Sequence, residues 1–149
     1  MPNKFLFFVL SLFLLSCSPH YEKFTSYQAT TSHPTILPDD KSGIIYFYKP
    51  YKFAKSVSYC IYEGSINSAN VAVVDSGTYS IVRATPGIHT YVAHVAKDKS
   101  ITINIDANKT YYVKCGNAAG MFLKVPKFDI TSKEEFEKEK PNLVYLQKK

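Results

Sequence analysis

Between Gly43 and Cys115 the chain is cut into short segments with the composition of β-strands, each closed by a turn-forming residue. Gly43-Ile-Ile-Tyr-Phe-Tyr-Lys49 is β-branched and aromatic and stops at Pro50. Val57 to Tyr62 alternates, with Val57, Tyr59 and Ile61 on one face, and Glu63-Gly64 turns the chain. Val71 to Val74 ends at Asp75-Ser76-Gly77, and Thr78 to Ala84 ends at Thr85-Pro86-Gly87. Ile88 to Ala96 is followed by the polar turn Lys97-Asp98-Lys99. Ile101, Ile103 and Ile105 then alternate with Thr102 and Asn104, the pattern of a strand with one buried face. After the turn Asp106 to Lys109, Thr110 to Cys115 places Tyr111, Val113 and Cys115 on one face. Short strands at this spacing cannot build a helical bundle; they predict an all-β sandwich or barrel.

The C-terminal part changes character. Phe122 to Ile130 contains Pro126, which cannot donate to a ladder and so fits an edge strand or a bulge. Ser132 and Glu135 have the spacing of a capping box, and Pro141 ends the segment, which predicts a helix over about 132–140. Glu134 and Lys138 form a favourable i,i+4 pair. Phe136 is the one apolar residue there, so the helix is expected to rest on the domain at a single point.

At the other end, Lys4 precedes an apolar run from Phe5 to Leu15 interrupted by Ser11. The run is too short to span a bilayer, which takes ~20 residues, and fits the hydrophobic region of a secretory signal. Leu14-Leu15-Ser16-Cys17 resembles a bacterial lipobox, in which a thiol accepts a diacylglycerol and the peptide bond before it is cut. Residues 1–16 therefore read as a removable signal, and Cys17 as a lipidated N-terminus carrying diacylglycerol and an N-acyl chain, palmitate-like in kind. Two or three acyl chains at ~0.8 kcal/mol per buried methylene hold a protein on a membrane. Ser18, in place of an inner-membrane-retaining Asp, points to the outer membrane, facing the periplasm or the surface. Ser18 to Ser42, with Pro19, Pro34, Pro38 and many hydroxyls, reads as a flexible tether over 17–42 with a reach of roughly 25–30 Å. The folded domain is expected over 43–149.

Export changes the meaning of charge. The net charge of +6 falls to +5 once Lys4 is removed. A basic chain outside the cytoplasm has no nucleic acid to meet, so the excess lysine faces headgroups, anionic glycan or solvent. Arg83 is the sole arginine, which argues against planar bidentate phosphate recognition. With Cys17 committed to lipid, Cys60 and Cys115 remain, an even number in an oxidising compartment. Two readings stand side by side: a disulfide stabilising by ~4 kcal/mol on the chain-entropy model, or two buried free thiols.

Taken in order, several pieces resemble a bacterial family of envelope lipoproteins known as a domain of unknown function (DUF2846-like). They are the "GIIYFYKP" strand, Ile61-Tyr62-Glu63-Gly64, Ser76-Gly77-Thr78-Tyr79, Pro86-Gly87-Ile88-His89 and Asn108-Lys109-Thr110-Tyr111-Tyr112-Val113. The resemblance spans about Gly43 to Leu143; it departs at Asn108, where Gly is common, and at Cys60 and Cys115, which lie outside the pattern. It implies a single antiparallel β-sandwich, prealbumin-like or immunoglobulin-like, and brings no activity with it.

Chemistry is scarce. His20 and His33 fall in the tether, and His89 and His94 are five apart on one strand, hence on opposite faces. No His-Glu-x-x-His, Cys-x-x-Cys or acidic calcium loop is present, so no metal is expected. No Gly-x-Ser-x-Gly is present either, the cysteines lie within strands, and Glu63, Asp75, Asp98, Asp106 and Asp129 sit in or beside turns. No catalytic residue and no cofactor are assigned. What remains is Tyr51, Lys52, Phe53 and Lys55 beyond Pro50, which either form an aromatic and basic surface suited to another envelope protein or a glycan, or fold back over the open end of the sandwich. The expectation is a non-catalytic binding or accessory module. An inhibitor of an envelope-degrading hydrolase and an enzyme acting on envelope glycan or peptide are the alternatives.

Overall fold

The computed structural model describes residues 25–51, 57–119 and 124–149. Its strands form two sheets, the all-β architecture that the turn spacing predicts. In chain order they are β1 (Tyr27–Thr30), β2 (Gly43–Lys49), β3 (Tyr59–Glu63), β4 (Asn70–Val74), β5 (Thr78–Ala84), β6 (Gly87–His94), β7 (Asp98–Ile105), β8 (Thr110–Ala119), β9 (Lys124–Thr131) and β10 (Val144–Lys148). Helix α1 (Lys133–Glu139) and a 3-10 turn (Lys140–Asn142) join β9 to β10. One sheet has the order β1-β10-β5-β2-β8-β9, the other β4-β3-β6-β7. As Pro126 requires, β9 is an edge strand.

The pairing is mixed, which corrects the purely antiparallel expectation. β2 runs parallel to β8, Ile44 opposite Thr110 through Tyr48 opposite Lys114. β10 runs parallel to β5, Val144 opposite Thr78 and Tyr145 opposite Tyr79. The cause is directional bookkeeping along the chain. Strands β2 to β9 alternate in direction along the chain, so β2 and β8 point the same way. The excursion of β3 and β4, and again of β6 and β7, into the second sheet leaves them side by side. Helix α1 carries the chain back along the sheet before β10 begins, which gives β10 the direction of β5.

β2 lies at the centre and is buried on both faces. Ile45 and Phe47 point into the space between the sheets, where they meet Tyr59, Ile61, Tyr91, Ile103, Val113 and Cys115. Ile44, Tyr46 and Tyr48 point the other way, toward Tyr79, Phe136 and Leu143. All three rings of "YFY" are thus covered, where alternation alone would bury about half. The cover is helix α1. Ser132 caps it, its hydroxyl accepting from Glu135 N at 3.2 Å, and Lys114 of β8 ion-pairs with Glu135. Phe136 lies within 5.0–5.6 Å, centroid to centroid, of the rings of Tyr46, Tyr48, Tyr79 and Tyr112. The helix makes its apolar contact through one side chain, as its sequence says, but that side chain is 1% exposed.

The β4 edge is sealed by a side chain. Ser80 Oγ of β5 donates to Val73 O at 2.6 Å, and Val73 N reaches the same hydroxyl at 3.4 Å. A single buried hydroxyl thereby satisfies main-chain groups where the two sheets meet. Ser80→Ala leaves both unpaired and is expected to cost about 1–3 kcal/mol, read as a drop in the urea midpoint at unchanged m. An unchanged midpoint would show that the edge is closed by other means.

Residues 25–42 differ from the tether reading. β1 pairs antiparallel with β10, from Tyr27 opposite Lys148 to Thr30 opposite Tyr145. Ile36 packs against the outer aromatic layer, and His33 Nδ1 lies 3.0 Å from Tyr79 Oη with the rings stacked at 5.9 Å. Asp39 accepts from Ser42 Oγ at 2.6 Å and from Arg83 at 2.8 Å. Hydroxyl-rich sequence hid a strand whose partner lies at the far end of the chain. Folded structure therefore begins before residue 43.

The cysteines are free thiols in different layers. Cys115 belongs to the core between the sheets, whereas Cys60 points out of the four-stranded sheet toward Tyr62, Val73, Tyr27 and Leu146. No bridge joins them, because the parity of β3 turns Cys60 away from the side on which Cys115 lies.

Candidate functional site

Gly77 sits at the end of the sandwich where β5 begins, in a turn that needs its positive φ of 72°. Tyr51 lies over it; a Cβ on Gly77 would come within 3.2 Å of the Tyr51 ring. Tyr51 is 73% exposed and is the one described member of the group Tyr51, Lys52, Phe53 and Lys55. Lys52, Phe53 and Lys55 lie outside the described residues, as does Cys17.

Behind Tyr51 stands a residue with a less ordinary position. Lys49 shares the inward parity of Ile45 and Phe47 and is 3% exposed. Its ammonium donates to the carbonyl of Val57 and lies 4.7 Å from the centre of the Tyr59 ring. Among the described residues no carboxylate forms an ion pair with it. Burial pulls its pKa down from 10.5 to about 8. Lys49 and Val57 flank residues 50–56, so one hydrogen bond ties together the two ends of the segment that carries Tyr51. Lys49 is an exception to the expectation that the excess lysine faces outward; its phase with Ile45 and Phe47 is the sequence sign that it turns inward.

Nearby, Tyr59 Oη donates to Gly116 O at 3.0 Å, and burial raises its pKa. Burial likewise pushes the Cys115 thiol up to about 12, which makes it a poor nucleophile. The histidines are committed elsewhere. His89 Nδ1 meets Glu63 Oε1 at 2.5 Å and its Nε2 meets Thr85 O at 2.8 Å. Acceptors at both ring nitrogens make it a clamp between the end of β3 and the turn before β6. That is the turn-orienting role its place after Pro86-Gly87 suggests. His94 Nδ1 meets Asp98 Oδ1 at 2.5 Å, at the opposite end of β6. Among the described residues no three His, Cys, Asp or Glu side chains are grouped to hold a metal ion.

Asn108, where the sequence pattern led one to look for glycine, adopts a φ of 61°. Its amide donates to Asp39 O at 2.9 Å and Ser42 O at 3.1 Å, which fixes the turn between β7 and β8 against the start of β2. Asn tolerates this region better than most residues. Comparison of the chain with protein-family models, with curated proteins and with solved structures gives no match.

Proposed function

We propose that this chain is a lipid-anchored cell-envelope protein acting without catalysis, as a binding or accessory module that presents the Tyr51 end of its sandwich to an envelope partner. The observation that carries the reading is positional. The described chain begins beside the end of β10, with Tyr27 opposite Lys148, whereas Tyr51 lies over Gly77, next to the start of β10 at Val144. The five residues of β10 separate these ends by ~17 Å. A lipid on Cys17 would be joined to β1 by the ten residues from Cys17 to Ser26, which reach at most ~35 Å. The anchor is then attached at the end of the domain opposite the exposed Tyr51. The resemblance to envelope lipoproteins supports the same reading. So does the chemistry: Cys115 is buried, His89 and His94 are engaged by carboxylates, and the Lys49 amine is covered.

The test is photo-crosslinking from position 51 in intact cells, with p-benzoylphenylalanine replacing Tyr51 and Cys17→Ser as a control. One dominant protein adduct, weakened when Cys17 is lost, is the expected result. A diffuse background, the same with and without Cys17, would overturn the proposal.

A further inference from the structure

A cleft of about 400 Å³ opens at the other end of the molecule. β4 and β5 form a hairpin whose strands belong to different sheets. They are held together at Val73 and Ser80 and part beyond, leaving Val71 and Val82 facing a gap that β10 flanks. Ile81 and Leu146 complete its apolar wall. Its polar end is a surplus of donors. Tyr27 Oη is buried with no hydrogen-bond partner among the described residues. Lys148 lies opposite Tyr27 on the neighbouring strand, and among the described residues its ammonium reaches only a carbonyl, Asn70 O at 3.2 Å. Arg83 also lines the cleft, but its guanidinium is taken by Asp39, Ser42 and Leu37 O.

Buried donors without acceptors are costly, about 1–3 kcal/mol each, and native proteins keep few of them. An ammonium group can only donate, so what satisfies it must bring lone pairs. Burial raises the Tyr27 phenol to about 12, so it too stays protonated and able to donate near neutral pH. An anionic group set against these donors would gain charge-assisted bonds, while an apolar body would fill the gap between Val71, Val82 and Leu146. We infer that this cleft binds a small amphipathic carboxylate, its anionic head at Tyr27 and Lys148 and its apolar body between β4 and β5. The site is separate from the Tyr51 surface and does not depend on it.

The probe is octanoic acid bearing a diazirine, photolysed with the full chain in its own membranes, with labelled peptides mapped by mass spectrometry. Labels are expected on the peptides that carry Val71, Val82 and Leu146, and octanoate should compete roughly tenfold better than octanol, the worth of one charge-assisted bond. Val71→Trp fills the cleft and should remove most of the label. Lys148→Gln, at an exposed position, should weaken octanoate competition roughly tenfold at unchanged melting temperature, whether or not the tryptophan variant folds. Labels scattered over the domain, equal competition by octanol, or insensitivity to Lys148→Gln would each overturn the proposal.

Discussion

Replacing Phe136 with alanine is expected to lower stability by about 3–5 kcal/mol, roughly 10–20 °C in melting temperature for a domain of this size. The figure is large for a short, mostly exposed helix, because the ring serves four others. Removing it opens a void bounded by Tyr46, Tyr48, Tyr79 and Tyr112 and deletes four aromatic contacts, each worth about 0.5–1.5 kcal/mol beyond its buried area. The Ser132 cap and the Lys114–Glu135 pair cannot hold α1 alone: the pair is partly exposed, and such pairs contribute about 0–1 kcal/mol. Thermal melts followed by circular dichroism would measure the loss, and Phe136→Leu should recover part of it. A Phe136→Ala protein melting within a few degrees of the parent would mean that the outer layer of tyrosines does not depend on the helix.

Lys49→Met is expected to act in the opposite direction, stabilising the fold by about 1–4 kcal/mol at neutral pH. The methionine keeps the length and packing of the side chain and removes a buried charge whose partners are one carbonyl and the face of Tyr59. The sign of the pH dependence follows from the lowered pKa. In the folded state Lys49 releases its proton near pH 8; unfolded, it keeps it until about 10.5. Between those values the unfolded chain binds more protons, so the parent gains stability as pH rises through that window and has none of this gain below pH 8. The variant lacks this term, and its advantage should shrink toward pH 10.5. Denaturant titrations at pH 7 and pH 10 would show it; a constant difference between the two proteins would mean that Lys49 is well solvated in the folded state. The same substitution frees Val57 O and unties the base of residues 50–56. A gain in stability with a weaker crosslink from position 51 would identify Lys49 as a group kept for the shape of that surface, at some cost to the fold.

The fold was legible where a strand could be recognised from its own residues. Thr78 to Ala84 is a strand with the limits that its flanking turns set, and the Ile101-Ile103-Ile105 alternation buries Ile103 and Ile105 as a period of two requires. β1 and β10 were missed for a shared reason. Tyr-Gln-Ala-Thr and Val-Tyr-Leu-Gln-Lys are short, weakly patterned and become strands by pairing with each other, information that no local window contains. The single apolar residue of α1 was read correctly as one point of contact. Its importance was not legible, because it depends on tyrosines from three other strands. Lys49 and the cysteines are cases of parity. Alternation tells which residues share a face, but not which face is the core, and both assignments turned on that second fact. The cleft had no sequence signature at all, since Tyr27, Val71, Val82 and Leu146 are distant in the chain and each is an ordinary strand residue.

The pairing of β1 with β10 has a consequence for the order in which the molecule can assemble. The first described strand finds its partner in the last five-residue strand, so its hydrogen bonds cannot form until nearly the whole chain is available. The closure is non-local, as is the neighbouring parallel pair of β5 with β10, and contacts of high sequence separation are the ones that folding makes slowly. Until then Tyr27, Cys60 and Leu146 remain uncovered, and the edge of β5 is left unpaired. The N-terminal strand is therefore drawn against the domain only once the last strand has been made, so the two ends of the chain close the fold together.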